Sequence, residues 1–232
     1  MISREKFKIY GNVFDQYTLR NLFKLSSQEH YEELKSPIKV GKEANVFSAQ
    51  KKDGSLVVVK IYRLQSCNFN NMYYYISPDP RYQSLRKQRR KVIFSWTQRE
   101  FRNLYAARKA GVRVPTPYAF LDNIIVMEHI GDKQPASQLK DEIPKDPQKF
   151  FDKTIEYMRK LHKAKLVHGD LSHFNILNFK ESPVFIDFSQ STTLSHPEAD
   201  NYLKRDIENI CKFFKKLGVK VDPEEVEQRI KH

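Results

Sequence analysis

The stretch from His168 to Phe188 constrains this chain more than any other. It reads His168-Gly169-Asp170-Leu171-Ser172-His173-Phe174-Asn175 and resumes at Ile186-Asp187-Phe188. Asp170 precedes Asn175 by five residues, and Asp187 follows Asn175 by twelve. Leu166-Val167 lead in and Ile176-Leu177 lead out. Val184-Phe185-Ile186 is an apolar run that stops at Asp187, which predicts a short buried strand presenting a carboxylate at its end. The ordered set offers one carboxylate to meet an accepting hydroxyl, and two oxygen donors, Asn175 and Asp187, to hold magnesium on a nucleoside triphosphate. Asp and Asn are also ordinary turn residues, so each alone says little. Their order within an apolar frame is what points to phosphoryl transfer.

With 232 residues the chain can bury one substantial core, divided at most into two lobes. No apolar run approaches the roughly 20 residues of a membrane span, and no membrane partner is expected. The opening Met1-Ile2-Ser3-Arg4-Glu5-Lys6 lacks the apolar centre of a secretion signal. Cys67 and Cys211 are far apart and form no metal-binding pair, which fits a reducing, cytoplasmic setting. Lys and Arg number 41 against 28 Asp and Glu, a formal charge of +13. That excess favours a polyanionic partner, nucleic acid first, although a merely solvated basic surface reads the same way.

Upstream, residues 12–34 carry apolar side chains at helical spacing (Val13, Phe14, Tyr17, Leu19, Leu22, Phe23, Leu25), and Asp15 can cap them. They predict a helical strap. Residues 38–49 and 56–62 read as a strand pair turning at Asp53-Gly54. Between the strands' apolar residues lies Lys60, a charge that needs a partner there. The turn Gly41-Lys42-Glu43-Ala44, followed by Val46, can aim backbone N–H groups at phosphate, but the usual GxGxxG is missing. Residues 64–91 predict neither helix nor strand. Six basic residues and no acid lie between Arg81 and Lys91, and tyrosines are interleaved upstream. Phosphate contact with base stacking and a solvated mobile loop are both open readings.

From Val92 to Ala110 a helix is predicted, with Ile93, Thr97, Glu100 and Leu104 on one face. A carboxylate on a core-facing stripe needs a cation, and Lys60 is the unclaimed one. Residues 114–120 and 124–127 read as two further strands. Glu128-His129-Ile130-Gly131 follows as a joint between two lobes, whose backbone can pair with an adenine edge. Asp146-Pro147 starts a helix buried through Phe151, Thr154, Ile155, Met158 and Leu161. His168 is expected to pack and hydrogen-bond, and His173 to be exposed and without a role. A last helix begins near His196-Pro197 and ends at Gly218. On its apolar face Asp206 either accepts loop N–H groups or is an exposed first-turn acid.

Taken together, Gly41-Lys42-Glu43-Ala44-Asn45-Val46-Phe47, Val59-Lys60-Ile61-Tyr62, the helix around Trp96-Thr97-Gln98-Arg99-Glu100, and the segments from His168 to Leu177 and from Ile186 to Ser191 resemble the RIO family of atypical serine/threonine protein kinases. The resemblance runs from about residue 12 nearly to the end and is to the compact archaeal form of the first subtype. Too few residues precede Gly41 for the winged-helix domain of the second. It implies an α+β, trimmed two-lobe protein-kinase-like fold: a helical extension over 1–34, an N-lobe over 35–127 and a C-lobe over 128–232. No activation segment or peptide-docking subdomain is expected, since residues 188–232 hold no Ala-Pro-Glu triplet.

The resemblance also implies ATP with Mg²⁺ or Mn²⁺. Gly41, Lys42, Glu43, Ala44, Val46, Lys60, Glu100, Met127, Glu128, Ile130 and Asn175 would serve the nucleotide, Asn175 and Asp187 the metal, and Asp170 the acceptor hydroxyl. It implies serine autophosphorylation, ATP hydrolysis through a phosphorylated Asp187, and work on the small ribosomal subunit precursor and its rRNA. Ser66, Ser77 and Ser84 are candidate acceptors. His173 stands where an acidic residue is common, and Gly169 where alanine or arginine is usual. Two other classes compete. One is an ATP-gated RNA-binding assembly scaffold with little phosphotransfer. The other is a small-molecule or tRNA-modification-associated phosphotransferase, since His-Gly-Asp-Leu occurs there too; the loop from Gly41 to Phe47 argues against it.

Overall fold

Alternating apolar residues over 44–50 and 56–62 dictate adjacent strands, and in the computed structural model, which describes residues 14–232, they form the centre of a sheet. The predicted helical positions 12 and 13 lie outside the described residues. The chain divides into two compact units: one takes residues up to 74 with 85–101 and 116–129, the other 75–84, 102–115 and 130–232.

In the first unit, β1 (Glu33–Val40), β2 (Ala44–Gln50), β3 (Leu56–Tyr62), β4 (Pro117–Leu121) and β5 (Ile124–Glu128) make an antiparallel sheet in the order β1-β2-β3-β5-β4. The two-residue repeat of a strand sends Phe47, Ala49, Val57, Val59, Ile61, Ile124 and Val126 to one buried face. Helix α1 (Gln16–Ser27) covers that face with Leu22 and Leu25, and Asp15 caps it by accepting the Thr18 N–H at 3.0 Å. The strap is shorter than predicted. Glu29 adopts a left-handed φ of 66°, His30 N–H bonds back to Leu25, and β1 has begun by Glu33. The opposite face of the sheet carries Val46 paired with Lys60, and Lys60 paired with Ile125.

Residues 64–91 differ from expectation. They contain helix α2 (Phe69–Ile76) and a 3₁₀ turn, Pro80–Tyr82. Met72 and Ile76, four residues apart, are buried, so a short amphipathic helix lay beneath the Asn, Tyr and Pro composition. Helix α3 (Arg89–Lys109) follows, with Ile93, Thr97, Glu100 and Leu104 all buried as the spacing required.

The second unit holds α4 (Pro147–Lys163), α5 (Ala199–Lys216) and α6 (Pro223–Lys231). Its short strands pair β6 (Leu166–Val167) with β9 (Thr192–Thr193), and β7 (Ile176–Asn178) with β8 (Pro183–Phe185). Asp146 caps α4 by accepting the Lys149 N–H, and Phe151 packs edge-on against Phe214 of α5 at 5.3 Å. Helix α6 was not anticipated. Its Asp222-Pro223 start repeats the signal read at Asp146-Pro147, and Val226 and Ile230 bury one face. Among the described residues no helix is long and apolar enough to cross a membrane.

Candidate active site

A lysine among β-branched residues must lose water, and Lys60 is only 7% exposed. Its Nζ lies 2.7 Å from Oε1 of Glu100, which is 1% exposed, so the predicted pair forms. The other carboxylate oxygen accepts the Tyr62 hydroxyl at 2.6 Å. Tyr62 was missed, although two residues along one strand is the same face as Lys60. The turn ahead of β2 needs glycine: Gly41 N–H donates to Ala44 O at 3.0 Å, and a Cβ at Gly41 would meet that oxygen at 2.8 Å. Lys42 is exposed, and the Glu43 carbonyl accepts from Arg63 N–H. At the end of β5, Met127 is buried and pairs with Val58. Glu128 donates its N–H to Thr116 O, and its carboxylate accepts the Thr116 N–H and hydroxyl. That side chain therefore serves the turn into β4.

In the second unit, α5 fixes the loop between β6 and β7. Asp206, 1% exposed, accepts the Gly169 N–H at 2.8 Å and the Leu171 N–H at 2.7 Å, which decides its two readings in favour of the loop. Burial pushes its carboxyl up to about 7, even though both N–H groups and Arg205 pull the other way. Arg205 donates to Gly169 O and Asn209 to Leu171 O, two contacts the sequence reading did not anticipate. Gly169 has φ +81°, and a Cβ there would lie 2.9 Å from Gln190 O. His168 is buried, which pushes its imidazole down to about 4, and Nε2 lies 3.1 Å from Ile186 O. It packs and bonds as expected. His173 does not follow expectation: it is half-buried and stacks on Phe213 at 4.7 Å.

Asp170 sits between these anchors. Asn175 Nδ2 donates to Asp170 O at 2.8 Å and to Asp170 Oδ2 at 3.2 Å, so one amide orients both backbone and carboxylate. Burial, then the nearby Asp187 carboxylate, raise the Asp170 pKa above the usual range; Arg205 and Asn175 oppose that shift. Asp187 follows β8 in a left-handed conformation, φ +63°, and its Oδ1 accepts the Ser189 hydroxyl at 2.8 Å. Aspartate is among the few non-glycine residues that adopt this conformation readily, through local hydrogen bonds of its short side chain. The Asn103 amide donates to Phe188 O at 3.1 Å and to Ser191 O at 2.6 Å, and Ser191 hydroxyl donates to His168 O. Asn103 was also missed by the sequence reading.

The donor set fits magnesium. Asn175 spends its amide hydrogens on Asp170, while its Oδ1 accepts no hydrogen bond among the described residues. Asp187 adds a carboxylate on the same loop system. Magnesium takes one or two such oxygens and completes its shell with phosphate and water. Ile130 belongs to this unit as well; its carbonyl accepts from Ala136 N–H.

A match to the family described as RIO domain spans residues 45–226. The chain is 43% identical over 220 residues to RIO-type serine/threonine-protein kinase Rio1 of Methanocaldococcus jannaschii, covering 93% of this chain and 74% of that protein. It is 39% identical over 219 residues to the protein of the same name from Haloferax volcanii, covering 94% and 76%. Among solved structures, the Rio2 kinase–ADP/Mg²⁺–phosphoaspartate complex from Chaetomium thermophilum superposes with TM-score 0.70 at 23% identity, covering 92% of this chain and 66% of that one. That likeness shows the fold: α+β and protein-kinase-like.

Proposed function

The chain belongs to the RIO domain family, and on that premise we propose that it is an ATP- and magnesium-dependent serine/threonine protein kinase. The observation that carries the reading is the buried Lys60–Glu100 pair at 2.7 Å, which holds an ammonium fixed in an apolar strand where phosphates can use it. Magnesium, when bound, neutralises charge on the transferring phosphoryl group. The protein's own residues do the rest. Lys60 meets the α- and β-phosphates, held in place by Glu100 and Tyr62. The turn from Gly41 to Ala44 offers N–H groups, and Val46 and Met127 give apolar contact. The backbone of Glu128 and Ile130 pairs with adenine. Asn175 and Asp187 supply oxygen to the metal. Asp170, aimed by Asn175, takes the proton from a serine hydroxyl.

Purified chain incubated with γ-labelled ATP and Mg²⁺ should incorporate label on serine. Asp170→Ala should bind ATP normally and turn over about 10²- to 10⁴-fold more slowly. Wild-type turnover in that variant removes Asp170 from the mechanism.

We further infer ATP hydrolysis through Asp187 and a role on small-subunit precursor rRNA. In the first, a carboxylate oxygen of Asp187 attacks the γ-phosphorus and ADP departs. Water then cleaves the acyl phosphate. The second is favoured by Arg86, Lys87, Arg89, Arg90 and Lys91, all exposed and without an ion pair among the described residues. Arg89 and Arg90 lie over the Phe69 and Tyr17 rings at 4.5 and 4.9 Å. Binding to that RNA should weaken steeply with salt, and RNA-stimulated ATP turnover separates a working enzyme from a passive scaffold.

A further inference from the structure

Asp79 comes from a segment whose composition promised only a mobile loop, yet it is fully buried, at 0% exposure. Its carboxylate takes Arg81 Nη2 at 2.6 Å, Arg81 Nε at 3.0 Å and the Thr192 hydroxyl at 3.0 Å. The same guanidinium donates through Nη1 to Asn103 Oδ1 at 3.1 Å. With its oxygen anchored, the Asn103 amide has one orientation left. It sends its two hydrogens to Phe188 O and Ser191 O, the carbonyls that bracket Ser189 and Gln190. A continuous, charge-assisted network thus runs from Asp79 through Arg81 and Asn103 to the backbone directly after Asp187.

We propose that Asp79, Arg81 and Asn103 are positioning residues for the metal-binding loop, setting the angle at which Asp187 offers its carboxylate. The proposal rests on Asp187 being a metal ligand. Its physical basis is the left-handed backbone of Asp187, φ +63°. Aspartate visits such a conformation more readily than most side chains, and the bonds to the carbonyls that follow it hold it there. Ser189 fixes the side chain from within the loop; Asn103 fixes the two flanking carbonyls from outside; Arg81 and Asp79 fix Asn103. Outer partners of this kind commonly change metal affinity by about 10- to 100-fold when removed.

The test is Mn²⁺ titration of the full chain saturated with ADP, read from the electron paramagnetic resonance of free Mn²⁺. Arg81→Gln and Asn103→Ala should weaken Mn²⁺ by about tenfold or more. Their ADP affinity in EDTA should stay within about twofold of wild type, and Arg81→Lys, which keeps the charge toward Asp79 but lacks the fork, should fall between. A staple with only a structural role would lower the melting temperature and leave Mn²⁺ affinity alone. Wild-type Mn²⁺ affinity in folded Arg81→Gln overturns the proposal. Arg81 has a side chain 31% exposed, so that variant remains decisive if Asn103→Ala does not fold. If the wild-type ADP complex holds Mn²⁺ no better than ADP alone, the assignment of Asp187 fails first and the positioning role falls with it.

Discussion

The backbone nitrogen of Leu171 lies 2.7 Å from Oδ1 of Asp206, and Gly169 nitrogen lies 2.8 Å from the other oxygen, so one carboxylate grips the loop on both sides of Asp170. Both donors need an acceptor. Asp206→Asn turns an N–H toward one of them, leaving a buried donor unpaired at a cost of about 1–3 kcal/mol. Urea unfolding should show that loss. Turnover should fall while ATP affinity stays near wild type, because the residues proposed to contact the α- and β-phosphates and adenine are not bonded to Asp206. A variant as stable and as fast as wild type would detach Asp206 from the loop's geometry.

The same carboxyl predicts a pH signature. Its folded pKa is raised to about 7 from the ordinary carboxylate value near 4, so between those limits the folded state holds a proton that the unfolded state has lost. The Asp206 contribution to stability therefore falls as pH rises from about 4 to about 7, and is flat outside that window. His168 works in the opposite sense. Its folded pKa is lowered to about 4 from about 6.5, so its contribution rises with pH between those values. Over pH 4–6.5 the two slopes oppose. Removing Asp206 in Asp206→Asn should expose a rising stability profile that wild type masks. Urea midpoints at intervals from pH 4 to pH 8 check this; parallel profiles for the two proteins would contradict it.

Lys60 and Glu100 should lose stability unequally. Removing Glu100 takes away the carboxylate 2.7 Å from a buried ammonium and the acceptor of the Tyr62 hydroxyl together, a loss of about 3–5 kcal/mol. Removing Lys60 leaves Glu100 with the Tyr62 hydroxyl it already accepts, so Lys60→Met should cost less than Glu100→Ala. A double-mutant cycle should give a coupling of about 0.5–3 kcal/mol, since the two groups share one network. Additive losses would mean the pair contributes nothing beyond its separate packing.

The parts of this molecule that follow from local periodicity were legible in the sequence. Lys60 and Glu100 could be paired forty residues apart because each was a charge on an apolar stripe, and two such oddities explain each other. The short strand before Asp187 and the loop in which Asn175 bonds to Asp170 were legible because their spacing and apolar frame are local. Arg205, Asn209, Asn103 and Asp79 were not, since each looks like an ordinary polar residue of a helix face or turn until the chain brings a carbonyl or an ion partner to it. His173 failed for the same reason: Phe213, its stacking partner, lies on a distant helix. Segment 64–91 misled through composition. Three tyrosines and scattered asparagines hid a helix whose buried face needs only Met72 and Ile76.

Asp187 joins a left-handed backbone to the carboxylate proposed to bind the metal, and three substitutions pull the two apart. Asp187→Gly relieves the backbone, because glycine adopts φ near +63° without steric cost. Asp187→Asn tolerates the same φ and keeps the shape but loses the charge. Asp187→Ala has neither advantage and bears roughly 1–2 kcal/mol of left-handed strain. Stability should therefore rank alanine below asparagine, with glycine at least equal to asparagine. Magnesium-dependent ATP binding should follow a different order: glycine and alanine lose it, and asparagine keeps at most a weak remnant through its amide oxygen. Melting temperatures give the first ranking, and nucleotide titrations with Mg²⁺ and with EDTA give the second. If asparagine or alanine retains full metal dependence, the carboxylate is not a ligand. If alanine melts no lower than glycine, the left-handed conformation is not what the site maintains against strain.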